Sequence, residues 1–467
     1  MVFSSPLFLF FYLPVVLAAY HSTPNRYKNL TLLLFSLVFY AWGEPVYIFV
    51  MLASITVNYL LGRLVYRFRK RQKERKARLA VAGSVVFNLA LLFFFKYWDF
   101  TASNLAAIGL GGMSVFGLAL PIGISFYTFQ IMSYTIDVYR GDAPVQKNFI
   151  NIGIFVTMFP HLMAGPILLY KDMDAQINSR QHSAEKFASG VQIFIIGLAK
   201  KVLLANNIGK LWDVYSAMPA SQLTVAGAWL GAIAFSLQIY FDFCGYSEMA
   251  IGLGRMLGFE LKRNFDYPYV SKSVTEFWRR WHISLSSWFR DYVYIPLGGN
   301  RVGVPRLCVN LLIVWGLTGI WHGASWNFLL WGLYYGVLLI AEKLLLKRLL
   351  DRLPAAFGHL YTLLLVVIGW AIFSIEDFGS LLGYLRAMFG MAAGGLFDSA
   401  FLYYIVSYLP TLAVLGLASV PLGAQLWNHL PSTMQKAALP LLLLAGMVLC
   451  TAYLVDATYN PFLYFRF

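Results

Sequence analysis

Apolar runs of about twenty residues recur along this chain, separated by short polar or basic stretches. They occupy Pro6–Tyr20, Leu30–Trp42, Pro45–Gly62, Leu79–Trp98, Val115–Val138, Phe149–Tyr170, Phe187–Asn206 and Leu223–Phe243. After a long amphipathic stretch they resume at Leu307–Trp321, Trp326–Leu346, Phe357–Phe373, Phe401–Val420 and Ala438–Val455. In hydrocarbon the backbone must satisfy its own hydrogen bonds, so only helices or a closed barrel cross a bilayer. Barrel strands alternate apolar and polar residues over about ten positions, and no such alternation is present. The pattern predicts an all-α polytopic integral membrane protein with roughly 11–13 transmembrane helices, plus re-entrant and interfacial helices. Phe159-Pro160-His161 and Ala164-Gly165-Pro166 interrupt the run 149–170, as suits a broken or re-entrant helix. Residues 171–186 read as a polar loop, and no internal repeat is visible.

Composition strengthens this picture. Of the residues, 59% are hydrophobic and 12% charged, against about 25% charged in soluble domains. The net charge of +15 would suggest nucleic acid in a soluble protein. Here the basic residues cluster between apolar runs and read as topology, so no nucleic-acid partner is expected. Arg63, Arg67, Arg69, Lys70, Arg71, Lys73, Arg75, Lys76 and Arg78 form the cleanest cluster, interrupted only by Glu74. The positive-inside rule puts it in the cytoplasm, with contact to anionic membrane lipid as a secondary role. The basic segments 262–306 and 343–352 then also face inward if 149–170 fails to cross, and both termini lie outside. Cys244, Cys308 and Cys450 are far apart and form no CxxC pair, so neither a disulfide framework nor a metal site is expected. Pro6–Tyr20 lacks preceding basic residues and a small-residue cleavage site, and reads as a retained helix.

Two segments carry candidate chemistry. The first runs from Thr275 to Tyr292 and includes Glu276, Arg279, Arg280, Trp281, His282, Arg290 and Asp291. As one helix it would set Trp278, Trp281, Leu285 and Trp288 on a shared face, with Arg279, His282 and Arg290 off that stripe. Such a helix could simply lie at the inner interface, or it could line a site. The second segment is Gly319-Ile320-Trp321-His322-Gly323. An ionisable group between apolar spans is costly unless it faces a polar cavity, and glycines allow a ligand or backbone to approach closely. His322 could be a neutral histidine bonded to a neighbouring helix. Equally, a neutral imidazole can take the proton of a hydroxyl attacking a carbonyl, which suits acyl transfer. His161 follows Pro160 in the broken segment and reads as structural. No Gly-x-Ser-x-Gly elbow, HExxH or P-loop competes.

Several motifs together resemble the membrane-bound O-acyltransferase family (MBOAT), in particular its bacterial branch of alginate and peptidoglycan O-acetyltransferase membrane subunits. They are Met1-Val2-Phe3-Ser4-Ser5, Leu120 to Tyr127, Ile136 to Gly141, Phe159-Pro160-His161-Leu162 and Ala164-Gly165-Pro166. Further on are Tyr240 to Phe243 with Gly245-Tyr246-Ser247, Glu276 to Asp291, Leu297 to Arg301, Trp321-His322-Gly323 and Asn460 to Phe465. Cys244 stands where relatives often carry serine; in apolar surroundings it is not expected to be a nucleophile.

The resemblance implies N-terminal helices over 1–114, a catalytic core over 115–346 containing the interfacial segment 255–306, and C-terminal helices over 347–467. It implies His322 as the catalytic base and His282 as a second active-site histidine. Arg279, Arg280, Trp281 and Arg290 would lie near the donor. No cofactor or metal is expected to be resident; acetyl-CoA would be the acyl-donor substrate. The acyl group would cross the bacterial inner membrane to a periplasmic SGNH-type partner and a polysaccharide acceptor. A lipid-linked-sugar transporter and a scaffold subunit are the competing readings.

Overall fold

The computed structural model describes residues 1–163, 165–392, 394–456 and 463. Ala164 and, Leu463 excepted, the closing motif Asn460 to Phe465 lie outside them. All regular elements among the described residues are helices. Nine are long and apolar enough to cross a membrane: Ile48–Lys70, Glu74–Ala107, Ala184–Ala217, Val225–Met256, Val304–His322, Trp326–Leu350, Ala355–Ser374, Ser399–Ala418 and Ser432–Asp456. The apolar helix Phe8–Ser22 is shorter, as are Lys28–Gly43 and Ile124–Arg140. The chain is a multi-pass membrane protein, and large exposed side chains such as Phe49, Val86, Val406 and Leu441 give these helices lipid-compatible faces.

The chain forms two compact units, Met1–Phe194 with Tyr246–Lys262, and Ile195–Gly245 with Arg263–Phe467. In the first, the basic stretch 63–78 is mostly helix. Arg63, Arg67, Arg69 and Lys70 ride the last turns of Ile48–Lys70, a tight turn with Gln72 at φ 56° follows, and the next helix starts at Glu74. A buried polar network joins these helices to Ile124–Arg140. Ser84 Oγ donates to Asn58 Oδ1 at 2.6 Å, Asn88 Nδ2 donates to the same oxygen at 2.8 Å, and Ser84 Oγ lies 2.8 Å from Thr135 Oγ1. Amides and hydroxyls of this kind hold helices together where lipid supplies no hydrophobic drive.

The run 149–170 is broken as expected, into Phe149–Thr157 and Phe159–Leu162, with Met158 at ψ 111°. Freed backbone groups find side chains: Gln130 donates to the Phe155 carbonyl, and the Phe159 amide donates to Ser36 Oγ at 3.2 Å. The expected span Val115–Val138 is helical only from Ile124. Gly123 before it has φ 75°, and a Cβ there would sit 2.6 Å from the Leu162 carbonyl oxygen.

In the second unit Val304–His322 and Trp326–Leu350 form a tight antiparallel hairpin. A Cβ at Gly319 would lie 2.2 Å from the Phe328 carbonyl oxygen, and one at Gly332 2.3 Å from that of Trp315. The glycines therefore let the backbones touch. Across two spans, Lys201 and Asp242 form an ion pair at 2.6 Å with side chains 2% exposed. Lys201 also donates to Asn206 Oδ1 at 2.8 Å, and Asp242 Oδ2 accepts from the Leu463 amide at 3.0 Å. These extra bonds offset the cost of burying two charges.

The segment 275–292 departs from the single interfacial helix its spacing suggests. It is two short helices, Val274–Arg280 and Ile283–Phe289, broken at Trp281-His282. His282 is left-handed, at φ 44° and ψ 54°. The reason is a neighbouring chain segment that captures the freed backbone. Asp266 N donates to the Arg280 carbonyl at 2.9 Å, and Ile283 N donates to the Asn264 carbonyl at 2.9 Å. Trp278, Trp281, Leu285 and Trp288 are all buried in protein and not spread on lipid.

Candidate active site

The second unit contains a cavity of about 720 Å³ with three walls. The first is the helix Val304–His322, which presents Leu311, Val314, Trp315, Thr318 and His322. These positions recur at three- and four-residue spacing, one face of a helix. From Leu311 to His322 the helix rises about 16 Å, so the cavity follows the span in depth. The second wall is Trp326–Leu350, with Leu339, Glu342, Lys343, Lys347 and Leu350. The third is the broken segment, with Ser273, Thr275, Trp278, Arg279, Trp281, His282, Arg290 and Tyr294 among others.

His322 is the last residue of its helix, 4% exposed, and Gly323 follows in extended backbone. Its ring is wedged edge-on between Trp331, at 5.0 Å and 83°, and Phe373, at 5.2 Å and 83°. Aromatic walls on both sides hold the imidazole plane. His282 is 1% exposed and meets the Phe243 ring edge-on at 4.7 Å. Its Nδ1 lies 3.3 Å from Asn264 Oδ1, which also accepts from the Ser284 amide at 3.1 Å and hydroxyl at 2.9 Å. An amide oxygen selects the tautomer with the proton on Nδ1, leaving the lone pair on Nε2. Burial pushes the His282 imidazole down to about 3, because low-dielectric surroundings penalise the cation. A left-handed non-glycine backbone costs about 1–3 kcal/mol; the Asn264 bonds hold it.

The arginines divide. Arg279 and Arg290 line the cavity, Arg290 while paired with Asp291 at 2.8 Å. Arg280 is not among the lining residues; it pairs with Glu276 at 2.9 Å and Asp266 at 3.5 Å. Trp281 lines the cavity and packs on Trp370, with ring centroids 4.7 Å apart. Cys244 and His161 do not line it. Among the described residues no group of His, Cys, Asp and Glu is arranged to hold a metal ion, and the three cysteines are free.

Three lining residues escaped sequence reasoning. Lys343, which donates to Asn300 Oδ1 at 2.5 Å, and Lys347 join Arg279 and Arg290 among the cations that line the cavity. Glu342 is 3% exposed. Its carboxylate accepts from the Val274 amide at 2.6 Å, the Thr275 amide at 2.8 Å and the Thr275 hydroxyl at 2.6 Å. It thus caps the helix carrying Arg279, from a different span. The available signal was an acid at the edge of an otherwise apolar run, which membrane burial makes expensive.

A family profile, "membrane-bound O-acyltransferase family", matches residues 142–378. The chain belongs to that family. The matched stretch contains every residue of the cavity, from Ser273 to Asp351, so in this membrane-bound O-acyltransferase the buried His282 and His322 share one chamber inside the family region. Three relatives extend the likeness. One from Pseudomonas putida, named probable alginate O-acetylase AlgI, is 40% identical over 100% of both chains. Another so named, from Pseudomonas aeruginosa, is 47% identical over 81% of this chain and 72% of its own. A peptidoglycan O-acetyltransferase of Helicobacter pylori is 34% identical over 84% of this chain and 80% of its own. The protein is accordingly an O-acyltransferase, with a membrane-embedded helical scaffold.

Proposed function

We propose that the chamber transfers an acetyl group from acetyl-CoA for O-acetylation of an exported or cell-envelope polysaccharide, with His322 as general base. One observation carries the reading. A single cavity is lined both by the cations Arg279, Arg290, Lys343 and Lys347 and by the buried imidazole of His322. Cations suit the phosphates of CoA, and a cavity that follows about 16 Å of helix from Leu311 to His322 suits an extended thioester arm. Basic residues Arg301, Arg306, Lys347, Arg348 and Arg352 support those cations facing the cytoplasm of the bacterial inner membrane.

The acceptor hydroxyl arrives from the opposite side and attacks the thioester carbonyl. His322 takes the hydroxyl proton as the new C–O bond forms. The C–S bond then breaks, and the thiolate leaves with that proton as the free thiol. His282, with Nε2 unprotonated, orients the donor or relays the proton. Arg280, held by Glu276 and Asp266, shapes the donor end by anchoring its helix. The names of the relatives support alginate or peptidoglycan as the final polymer. In this reading a periplasmic SGNH-type partner completes the transfer to it.

The test is acetyl release from radiolabelled acetyl-CoA by the purified chain in detergent, wild type beside His322→Ala. Activity in wild type alone is expected. Equal activity in the folded variant would remove His322 from the chemistry. No turnover by folded wild type, alone or with the partner, would overturn the donor assignment.

A further inference from the structure

A second constellation lies in the first unit, at the polar ends of two apolar helices. Phe8–Ser22 ends beside His21, and Lys28–Gly43 begins with Lys28. In the last turns of the first, Tyr20 is fully buried. Arg180 Nε donates to its hydroxyl at 2.8 Å, His182 Nε2 lies 3.0 Å from it, and it donates to the Leu257 carbonyl at 2.8 Å. Lys28 Nζ stands 5.2 Å from the same ring centroid, and Arg180 Cζ 5.6 Å. Lys28 is 9% exposed.

Positive charge therefore converges without a counter-charge. Among the described residues no carboxylate pairs with Lys28 or Arg180. The acids of nearby segments are engaged elsewhere: Glu260 with Lys186 and Arg255, and Asp172 with Lys262. Burial first, and then the charges of Lys28 and Arg180, hold His182 down to about 4. Lys28 also heads a sixteen-residue helix, whose dipole favours an anion at that end. Like charges packed this closely destabilise a fold unless something negative joins them.

We propose that Lys28 and Arg180 form a binding site for a phosphate-bearing anion, filled in the membrane by the headgroup of an anionic phospholipid. The lipid source follows from depth: where apolar helices give way to polar sequence is where headgroups lie.

The test is native mass spectrometry of the detergent-purified chain titrated with phosphatidylglycerol or phosphatidylcholine. Lys28→Met is compared with Lys70→Met, a change in the basic hairpin. Wild type and Lys70→Met should retain phosphatidylglycerol about tenfold over phosphatidylcholine, and Lys28→Met should lose most of that preference. As a check independent of any variant, amine labelling of Lys28 in nanodiscs should fall about fivefold with phosphatidylglycerol present. Protection by inorganic phosphate without lipid preference would keep the phosphate site but assign it a soluble occupant. Equal retention of both lipids with no phosphate protection, or identical behaviour of the two variants, would overturn the proposal.

Discussion

Replacing Glu342 with alanine tests whether a single carboxylate holds the donor end of the cavity in shape. The side chain caps the helix Val274–Arg280 with three bonds of 2.6–2.8 Å. Hydrogen bonds to a charged group contribute about 1.5–3 kcal/mol each. Val274 is fully buried, so its amide loses a partner that water cannot easily replace; Thr275 is half-buried on the cavity and can be rehydrated. Counting one full bond and part of the others gives about 3 kcal/mol, or roughly a hundredfold in the docking equilibrium of that helix. Glu342→Gln keeps one acceptor oxygen but loses the charge, and should cost about 1–1.5 kcal/mol. The assay is steady-state acyl transfer with donor varied, paired with hydrogen exchange over residues 274–280. KM for the donor should rise steeply in Glu342→Ala and partly recover in Glu342→Gln, with exchange rising in the same order. Wild-type KM and wild-type protection in Glu342→Ala would refute the reasoning.

Further expectations are simpler. His322→Ala should lower kcat by about 10²–10⁴-fold, the usual contribution of a general base, with the thermal midpoint little changed; a smaller loss in donor turnover would argue for a packing role. Arg280→Ala removes partly exposed ion pairs worth about 0–1 kcal/mol, so donor KM should stay within a few-fold, whereas Lys343→Ala should raise it and weaken its salt dependence. His282 is held below its unfolded value, so between pH 6.5 and about 3 the unfolded chain binds more protons and stability falls as pH falls. Thermal midpoints from pH 7 to pH 4 should drop less steeply in His282→Asn, which tolerates left-handed backbone; parallel slopes would exclude this origin. Gly319→Ala should prevent folding or cost several kcal/mol, because its Cβ would lie 2.2 Å from a carbonyl oxygen, while Gly316→Ala meets nothing within 4 Å and should be silent in the same melting assay.

Much of the architecture was legible because lipid leaves a chain few choices. Apolar length alone located the long spans, and the basic stretch 63–78 marked the polar connection between two of them, though its helical form and tight turn were not visible. Pro160 marked the broken segment, but the partners that make the break tolerable, Gln130 and Ser36, come from distant helices. The tryptophan spacing of 278–288 fitted one helix. The break at His282 depends on backbone donors and acceptors of residues 264–266, which no local pattern encodes. Arg279 and Arg280 are adjacent and chemically identical in sequence; only the positions of Glu276 and Asp266 turn one aside.

The sequence by itself determined the class of solvent, the helical form, and the presence of a histidine between apolar spans that is costly to bury unless it faces a polar cavity or a partner. These follow from local quantities: apolar length, charge placement, and the energy of an ionisable group in hydrocarbon. Tertiary structure alone decided that His282 and His322 line one cavity, that Glu342 caps the helix beside them, and that Lys28 and Arg180 gather around Tyr20. Each of these joins residues separated by tens to more than a hundred positions. Their proximity is fixed by which helix faces pack together, and that depends on side-chain shape and backbone approach summed over the whole unit.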